Sequence, residues 1–262
     1  MALEALIFDM DGTMADTEEA HRQAFNAAFL EHGLFWDWNR DKYTELLLIS
    51  GGKERMAAFV ESLGVKDGEK SKLRELVGSF HRTKTRIYNE LITEGRVPLR
   101  PGVARLVREA RAAGKTLAIA STTTAANVTR LITNALGEEA YHWFSVIVCG
   151  DHVAHKKPAP DIYELALAEL RLSAPDCVAF EDSANGLKAA QAVGLYTVVT
   201  PTFWTKGQDL AGADLLLHDL GDPGTPVDPA SAALIGAPYL ELAQLERLHA
   251  AGIARGVFAG AP

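Results

Sequence analysis

The chain has 262 residues, 48% hydrophobic and 23% charged, with a formal net charge of −8. That length allows one large domain or two unequal ones around a sizeable core. The acidic balance argues against nucleic acid or an anionic membrane as a partner, since both favour a basic face, but it leaves room for a small anionic substrate met by local cations or a metal.

No apolar stretch approaches the ~20 residues of a membrane span. The first candidate strand lies so close to Met1 that a leader peptide has no room. The expectation is a soluble, monomeric protein of the reducing cytoplasm. Cys149 and Cys177 each sit inside an apolar run and read as buried structural thiols rather than as a redox pair or metal ligands.

In chain order, short apolar runs at 5–8, 116–120, 144–149, 177–180, 195–199 and 213–217 read as strands. Helical patterns separate them: one spans 101–114, with proline at its start and glycine at its end. Others begin after Pro158 and at Ser183, and 239–251 reads as a last helix after the glycine- and proline-rich stretch 221–238. Apolar strands alternating with helices predict an α/β fold with a parallel, Rossmann-like sheet covered on both faces. Ligands of such sheets bind at the carboxyl ends of the strands.

Between the first two strands the rhythm breaks. Residues 17–92 carry only helical patterns, which predicts an inserted all-helical domain at 17–95. The core domain is then discontinuous, 1–16 and 96–262, joined to the insert near Asp16 and Arg96–Pro101, with the tail 221–262 the least legible part.

The strand ends carry the chemistry. Strand one runs into Asp9-Met10-Asp11-Gly12-Thr13. Two carboxylates two residues apart point the same way into the crevice. One can attack phosphorus while the other serves as acid and base, although Asp and Gly are also ordinary turn residues. Strand two runs into Ser121-Thr122-Thr123-Thr124, whose hydroxyls and amides suit phosphoryl oxygens beside a helix start or simply cap that helix. Lys157 precedes a helix-starting Pro158, where an ammonium can neutralise phosphate and nucleophile or face solvent. Strand four runs into Glu181-Asp182, carboxylates suited to a hard cation such as Mg2+.

Taken together, Asp9, Asp11-Gly12-Thr13, Ser121, Lys157 and Glu181-Asp182 resemble the four motifs of the haloacid dehalogenase superfamily. The resemblance implies Asp9 as nucleophile and Asp11 as acid/base. It also implies Ser121 and Lys157 as phosphoryl clamps, and Mg2+ on Asp9, the Asp11 backbone carbonyl and Asp182, with Glu181 a ligand or a supporting group. The insert is similar to the cap of that superfamily's sugar-phosphate branch.

Periodicity in the insert adds detail. In a helix over 17–30, Glu18 lies about 20° and His21 about 40° from Phe25 on the apolar face. In a helix over 69–91, with a stripe of Leu73, Val77, Phe80, Ile87 and Leu91, Lys84 lies about 20° from the stripe's centre. An inward lysine is costly unless it snorkels or meets an anion, and a second substrate phosphate would serve, with His81 and Arg82 one turn away. Gly51-Gly52-Lys53-Glu54-Arg55 opens another helix with amides and cations, as an anion site would.

A phosphate site in each domain points to a small-molecule sugar bisphosphate. Asp16-Thr17-Glu18, His21, the Gly51–Arg55 segment, His81-Arg82-Thr83-Lys84 and Phe203-Trp204-Thr205 resemble the CbbY group of this branch. Those proteins are xylulose-1,5-bisphosphate phosphatases that remove an inhibitory misfire product of Rubisco. The likeness fades beyond about Leu220. Alternatives are a β-phosphoglucomutase-like isomerase, a general sugar monophosphate or phosphoglycolate phosphatase and, more remotely, a phosphoaccepting receiver module.

Overall fold

A computed structural model describes residues 2–94 and 97–254. The expected linker residue Arg96 lies outside the described residues. By compactness the chain divides into two units, one of Met1–Asp16 with Pro98–Pro262 and one of Thr17–Val97.

The larger unit holds β1 (Ala5–Phe8), and the helical unit follows it with α1 (Glu18–Glu31), α2 (Arg40–Leu46), α3 (Gly52–Ser62) and α4 (Asp67–Thr93). The chain then returns to the larger unit with α5 (Val103–Ala112), β2 (Thr116–Ser121), α6 (Ala125–Leu136), β3 (Phe144–Cys149) and α7 (Asp161–Leu170). It finishes with β4 (Cys177–Glu181), α8 (Ala184–Ala192), β5 (Tyr196–Val199), β6 (Leu215–Leu216), α9 (Pro229–Ile235) and α10 (Leu242–Ala254).

The six strands form one parallel sheet in the order β3-β2-β1-β4-β5-β6. β1, β4 and β5 are buried along their whole length, as strands covered on both faces must be. The strand order reverses at β1, which opens a crevice at the carboxyl ends. Registers of Phe8 with Ile119 on one side and Phe180 on the other bring the three central strand ends to one level. The amide of Asp9 continues the ladder to the Phe180 carbonyl at 3.0 Å.

Several boundaries differ from the sequence reading. β2 and β4 each run one residue further and so include Ser121 and Glu181. β6 is only Leu215–Leu216. α5 begins at Val103, because Gly102 at its N-cap has φ 82 and leaves Pro101 in the preceding turn. α7 begins at Asp161, so Pro158, whose peptide bond to Lys157 is cis, does not start the helix. The glycine- and proline-rich stretch contains α9, capped by Asp228 Oδ1 accepting from the amides of Ala230 (2.9 Å) and Ser231 (3.1 Å).

The tail is tied to α5 and to the turn that follows it. Arg105 donates to the carbonyls of Gly221 (2.7 Å) and Leu240 (3.1 Å), Glu109 accepts from the Leu242 amide (3.0 Å), and Lys115 pairs with Glu246 (2.8 Å).

In the helical unit, α1 buries Ala20, Ala24, Phe25, Ala28 and Phe29 on one face, with Glu18 and His21 at its amino end. α4 buries Phe80, Lys84, Tyr88 and Ile92, four residues apart along one stripe, so Tyr88 and Ile92 take the central places expected of Ile87 and Leu91. Phe25, Phe29, Trp36, Trp38, Phe59 and Phe80 pack ring against ring as the core of this unit. Among the described residues no helix is long and apolar enough to cross a membrane.

Candidate active site

In the larger unit the centre of the site is Asp9. It leaves β1 buried, and Lys157 Nζ donates to its Oδ1 at 2.8 Å. Thr13 Oγ1 donates to Oδ2 at 3.4 Å, a weak contact. Lys157 also donates to the Ala120 carbonyl at 2.8 Å and pairs with Glu181 Oε1 at 2.6 Å. One ammonium therefore joins the ends of β1, β2 and β4. The hydroxyl of Tyr163, fully buried in α7, donates to the same Glu181 oxygen.

Asp182 follows β4, and its Oδ2 accepts from Thr205 Oγ1 at 3.3 Å. Gly12 makes room for it: a Cβ at Gly12 would stand 2.2 Å from Asp182 Oδ2, and the residue's φ of +83 favours glycine. Asp11, half-buried, lies in the tight turn, where the Gly12 amide donates to the Ala15 carbonyl at 2.8 Å. Arg100 braces this turn, donating to the carbonyls of Gly12 (2.6 Å) and His218 (2.8 Å) and to Thr200 Oγ1 (3.0 Å).

Ser121 is buried at the end of β2. Thr122 and Thr123 follow in a turn where Gly150 packs against the Thr122 carbonyl and donates to that of Thr123 at 3.1 Å. The Thr123 hydroxyl accepts from Asn127 at 2.9 Å, and Thr124 caps α6.

Burial raises the Asp9 carboxyl from 3.8 to about 7; the Glu181 and Asp11 charges push the same way, and Lys157 opposes them. For Lys157, burial pulls downward, yet Asp9 and Glu181 outweigh it and hold the ammonium above the ordinary lysine value. Burial, then Glu181, lifts the Tyr163 phenol well above its usual range.

Oxygens of Asp9, Glu181 and Asp182 lie within 4.8 Å of one another, all three residues buried. Three buried carboxyl groups this close together form a set that fits a hard divalent cation. The donor set is all oxygen, unlike the thiolate and imidazole sets of softer metals.

The helical unit holds a second polar group. Lys84, 4% exposed, places Nζ 2.6 Å from His21 Nδ1 and 4.9 Å from the ring centres of Phe25 and Tyr88. His21 stacks on Tyr88 at 3.9 Å. Beside them, Tyr43 donates to Glu18 Oε2 at 2.6 Å and accepts from Arg55 at 3.2 Å.

Arg55, expected as a second cation at a helix start, is instead buried and also donates to the Leu46 carbonyl at 3.1 Å, so it braces the α2–α3 turn. Gly51 is the buried N-cap of α3, and Gly52 lets His81 approach: a Cβ there would stand 3.0 Å from Nε2. Lys53, Glu54 and Arg82 are exposed.

Tyr163, Arg100 and Tyr43 were not singled out from the sequence, and Thr205 entered only as part of the Phe203-Trp204-Thr205 likeness, with no role at Asp182. Tyr163 carried a signal, a hydroxyl on the buried face of the helix that follows Lys157. The others are joined to their partners only by the fold.

A parallel sheet with a carboxylate–lysine–carboxylate group at its central strand ends defines a hydrolase of the haloacid dehalogenase type. Residues 3–194 match the family model of haloacid dehalogenase-like hydrolases, and the chain belongs to that family. It is 47% identical over 247 residues to the plasmid-encoded CbbY protein of Cupriavidus necator, spanning 94% of this chain and 97% of that one. It is 49% identical over 229 residues to the CbbY protein of Rhodobacter capsulatus, spanning 87% and 99%. The crystal structure of a mutant CbbY from Rhodobacter sphaeroides in complex with xylulose-1,5-bisphosphate superposes with a TM-score of 0.77 at 44% identity, covering 86% of this chain and 98% of that one.

Proposed function

We propose that the chain is a magnesium-dependent phosphatase of small sugar bisphosphates, with xylulose-1,5-bisphosphate as its substrate, acting through a phosphoryl group carried on Asp9. The observation that carries this reading is the buried Asp9, bonded to Lys157 at 2.8 Å and grouped with Glu181 and Asp182. Likeness to a CbbY protein seen with xylulose bisphosphate supports the choice of sugar.

An Asp9 oxygen attacks phosphorus as the bond from phosphorus to the sugar oxygen breaks, and Asp11 gives its proton to the departing alkoxide. Asp11 then takes a proton from the water that attacks the phosphorylated Asp9, releasing phosphate and restoring both carboxyls. Lys157, Ser121 and the Thr122–Thr123 amides hold the phosphoryl oxygens, so that catalysis is mainly positioning and charge neutralisation. Asp9, the Asp11 carbonyl and Asp182 hold Mg2+, which offsets the charge of nucleophile and phosphate. In the helical unit, Lys84 and His21 take the second phosphate and Glu18 takes sugar hydroxyls.

The test is a substrate panel with Mg2+, scored for released phosphate and for isomerised product. Xylulose-1,5-bisphosphate is expected to release phosphate faster than ribulose-1,5-bisphosphate, β-glucose-1-phosphate or phosphoglycolate. Glucose-6-phosphate formed from β-glucose-1-phosphate as the fastest reaction would make the chain a mutase instead.

A further inference from the structure

Tyr163 stands beside the nucleophile, and the proposed mechanism leaves its hydroxyl unused. Lys157 has three hydrogens to donate and three acceptors around it: Asp9 Oδ1 at 2.8 Å, the Ala120 carbonyl at 2.8 Å and Glu181 Oε1 at 2.6 Å. The Tyr163 hydroxyl donates to that same Oε1, and its ring centre lies 5.2 Å from Nζ. On the other side Glu181 packs into the first turn of α8, where a Cβ on Gly186 would stand 1.8 Å from Oε2. Glu181 is thus wedged between α7 and α8 with one oxygen accepting twice. An oxygen so engaged is poorly placed to ligate a cation. Phenylalanine would fill the same space in the core, so packing alone does not call for the hydroxyl.

We propose that Tyr163 is a positioning residue: its hydroxyl fixes Glu181 so that Glu181 steers Lys157 onto Asp9 instead of serving the metal. This rests on the reading that Asp9 and Lys157 carry the phosphoryl transfer. It divides the acidic group into Asp9 and Asp182 for the cation and Glu181 for the lysine. The hydroxyl then acts on turnover only through Glu181.

A double-mutant cycle tests that dependence, with xylulose-1,5-bisphosphate as substrate and circular dichroism to verify folding. Tyr163→Phe is expected to lower kcat about tenfold and to change KM less than about twofold, the size typical of groups that orient catalytic ligands. In a Glu181→Ala background the same substitution is expected to change kcat less than about twofold. An equal factor in both backgrounds, or no effect in the wild type, overturns the proposal.

Calorimetry with Mg2+ alone decides the point even where Tyr163→Phe does not fold. Glu181→Gln keeps an acceptor for both donors and is expected to bind Mg2+ within about fivefold of wild type, whereas Asp182→Asn loses about thirtyfold or more. Equal losses overturn the proposal. Turnover retained by Asp9→Asn would instead overturn the underlying phosphatase reading, and the Mg2+ comparison would still judge Glu181.

Discussion

Lys157 Nζ lies 2.8 Å from Asp9 Oδ1, and neither residue is more than 6% exposed. The pair is held from two directions: Asp9 by the sheet ladder to Phe180, and Lys157 by the Ala120 carbonyl in β2 and by Glu181 on β4. A buried ion pair of this kind is a weak source of net stability, but removing one partner leaves the other charge stranded.

Lys157→Met is therefore expected to cost about 3 kcal/mol in the metal-free protein and to lower kcat about a hundredfold or more. Denaturant unfolding without metal and initial rates with Mg2+ check the two halves. Unchanged stability would mean that Asp9 is not stranded by the loss of its partner.

The Asp9 carboxyl, pushed up from 3.8 to about 7, gives a pH dependence with a definite sign. A folded-state value above the unfolded one means that the folded protein holds the proton more tightly. In the metal-free protein this group's contribution to stability is fully present below about 4 and is lost as pH rises through about 7. Mg2+ needs the carboxylate, so its affinity is expected to rise up to about tenfold per pH unit below 7 and to level off above. Thermal melts between pH 5.5 and 8, with and without Mg2+, measure both trends; an affinity flat across that range would contradict the shift.

Gly12→Ala places a methyl 2.2 Å from Asp182 Oδ2 at a residue with φ +83. Displacement of Asp182 and backbone strain are expected to cost about 1–3 kcal/mol and to weaken Mg2+ binding about tenfold or more. Unfolding curves and Mg2+ calorimetry report the two effects, and wild-type values in both would show that the turn yields easily.

In the helical unit, Lys84→Ala is expected to raise KM about tenfold or more for a bisphosphate but less than about twofold for a sugar monophosphate, the loss of one charge-assisted contact. Initial rates on both substrates decide it. Equal effects would remove the second-phosphate role.

The sheet was legible because its central strands are buried on both faces: β1 and β4 are buried throughout and read as apolar runs between helix signals. Asp9, Glu181 and Asp182 were legible because they stand immediately after such runs. Tyr43 was not, because α2 has seven residues, too short for an apolar period to emerge. Arg55 looked like a cation at a helix start because its buried partners, Tyr43 and the Leu46 carbonyl, are set by a loop turn. A helix after Pro158 was legible, but Pro158 does not start it: the chain turns there and α7 begins at Asp161, after Pro160. The tail showed its last helix, met as α10, but gave no signal for where it packs; its place follows from Arg105 reaching the carbonyls of Gly221 and Leu240, contacts between residues far apart in sequence.

The central claim is that Asp9 itself carries the phosphoryl group. Its most direct test is rapid acid quenching of enzyme mixed with Mg2+ and xylulose-1,5-bisphosphate, followed by peptide mass spectrometry. A phosphoryl group is expected on Asp9 within the first turnover, at a rate no slower than phosphate release. Phosphate appearing while Asp9 stays unmodified at every quench time would contradict it.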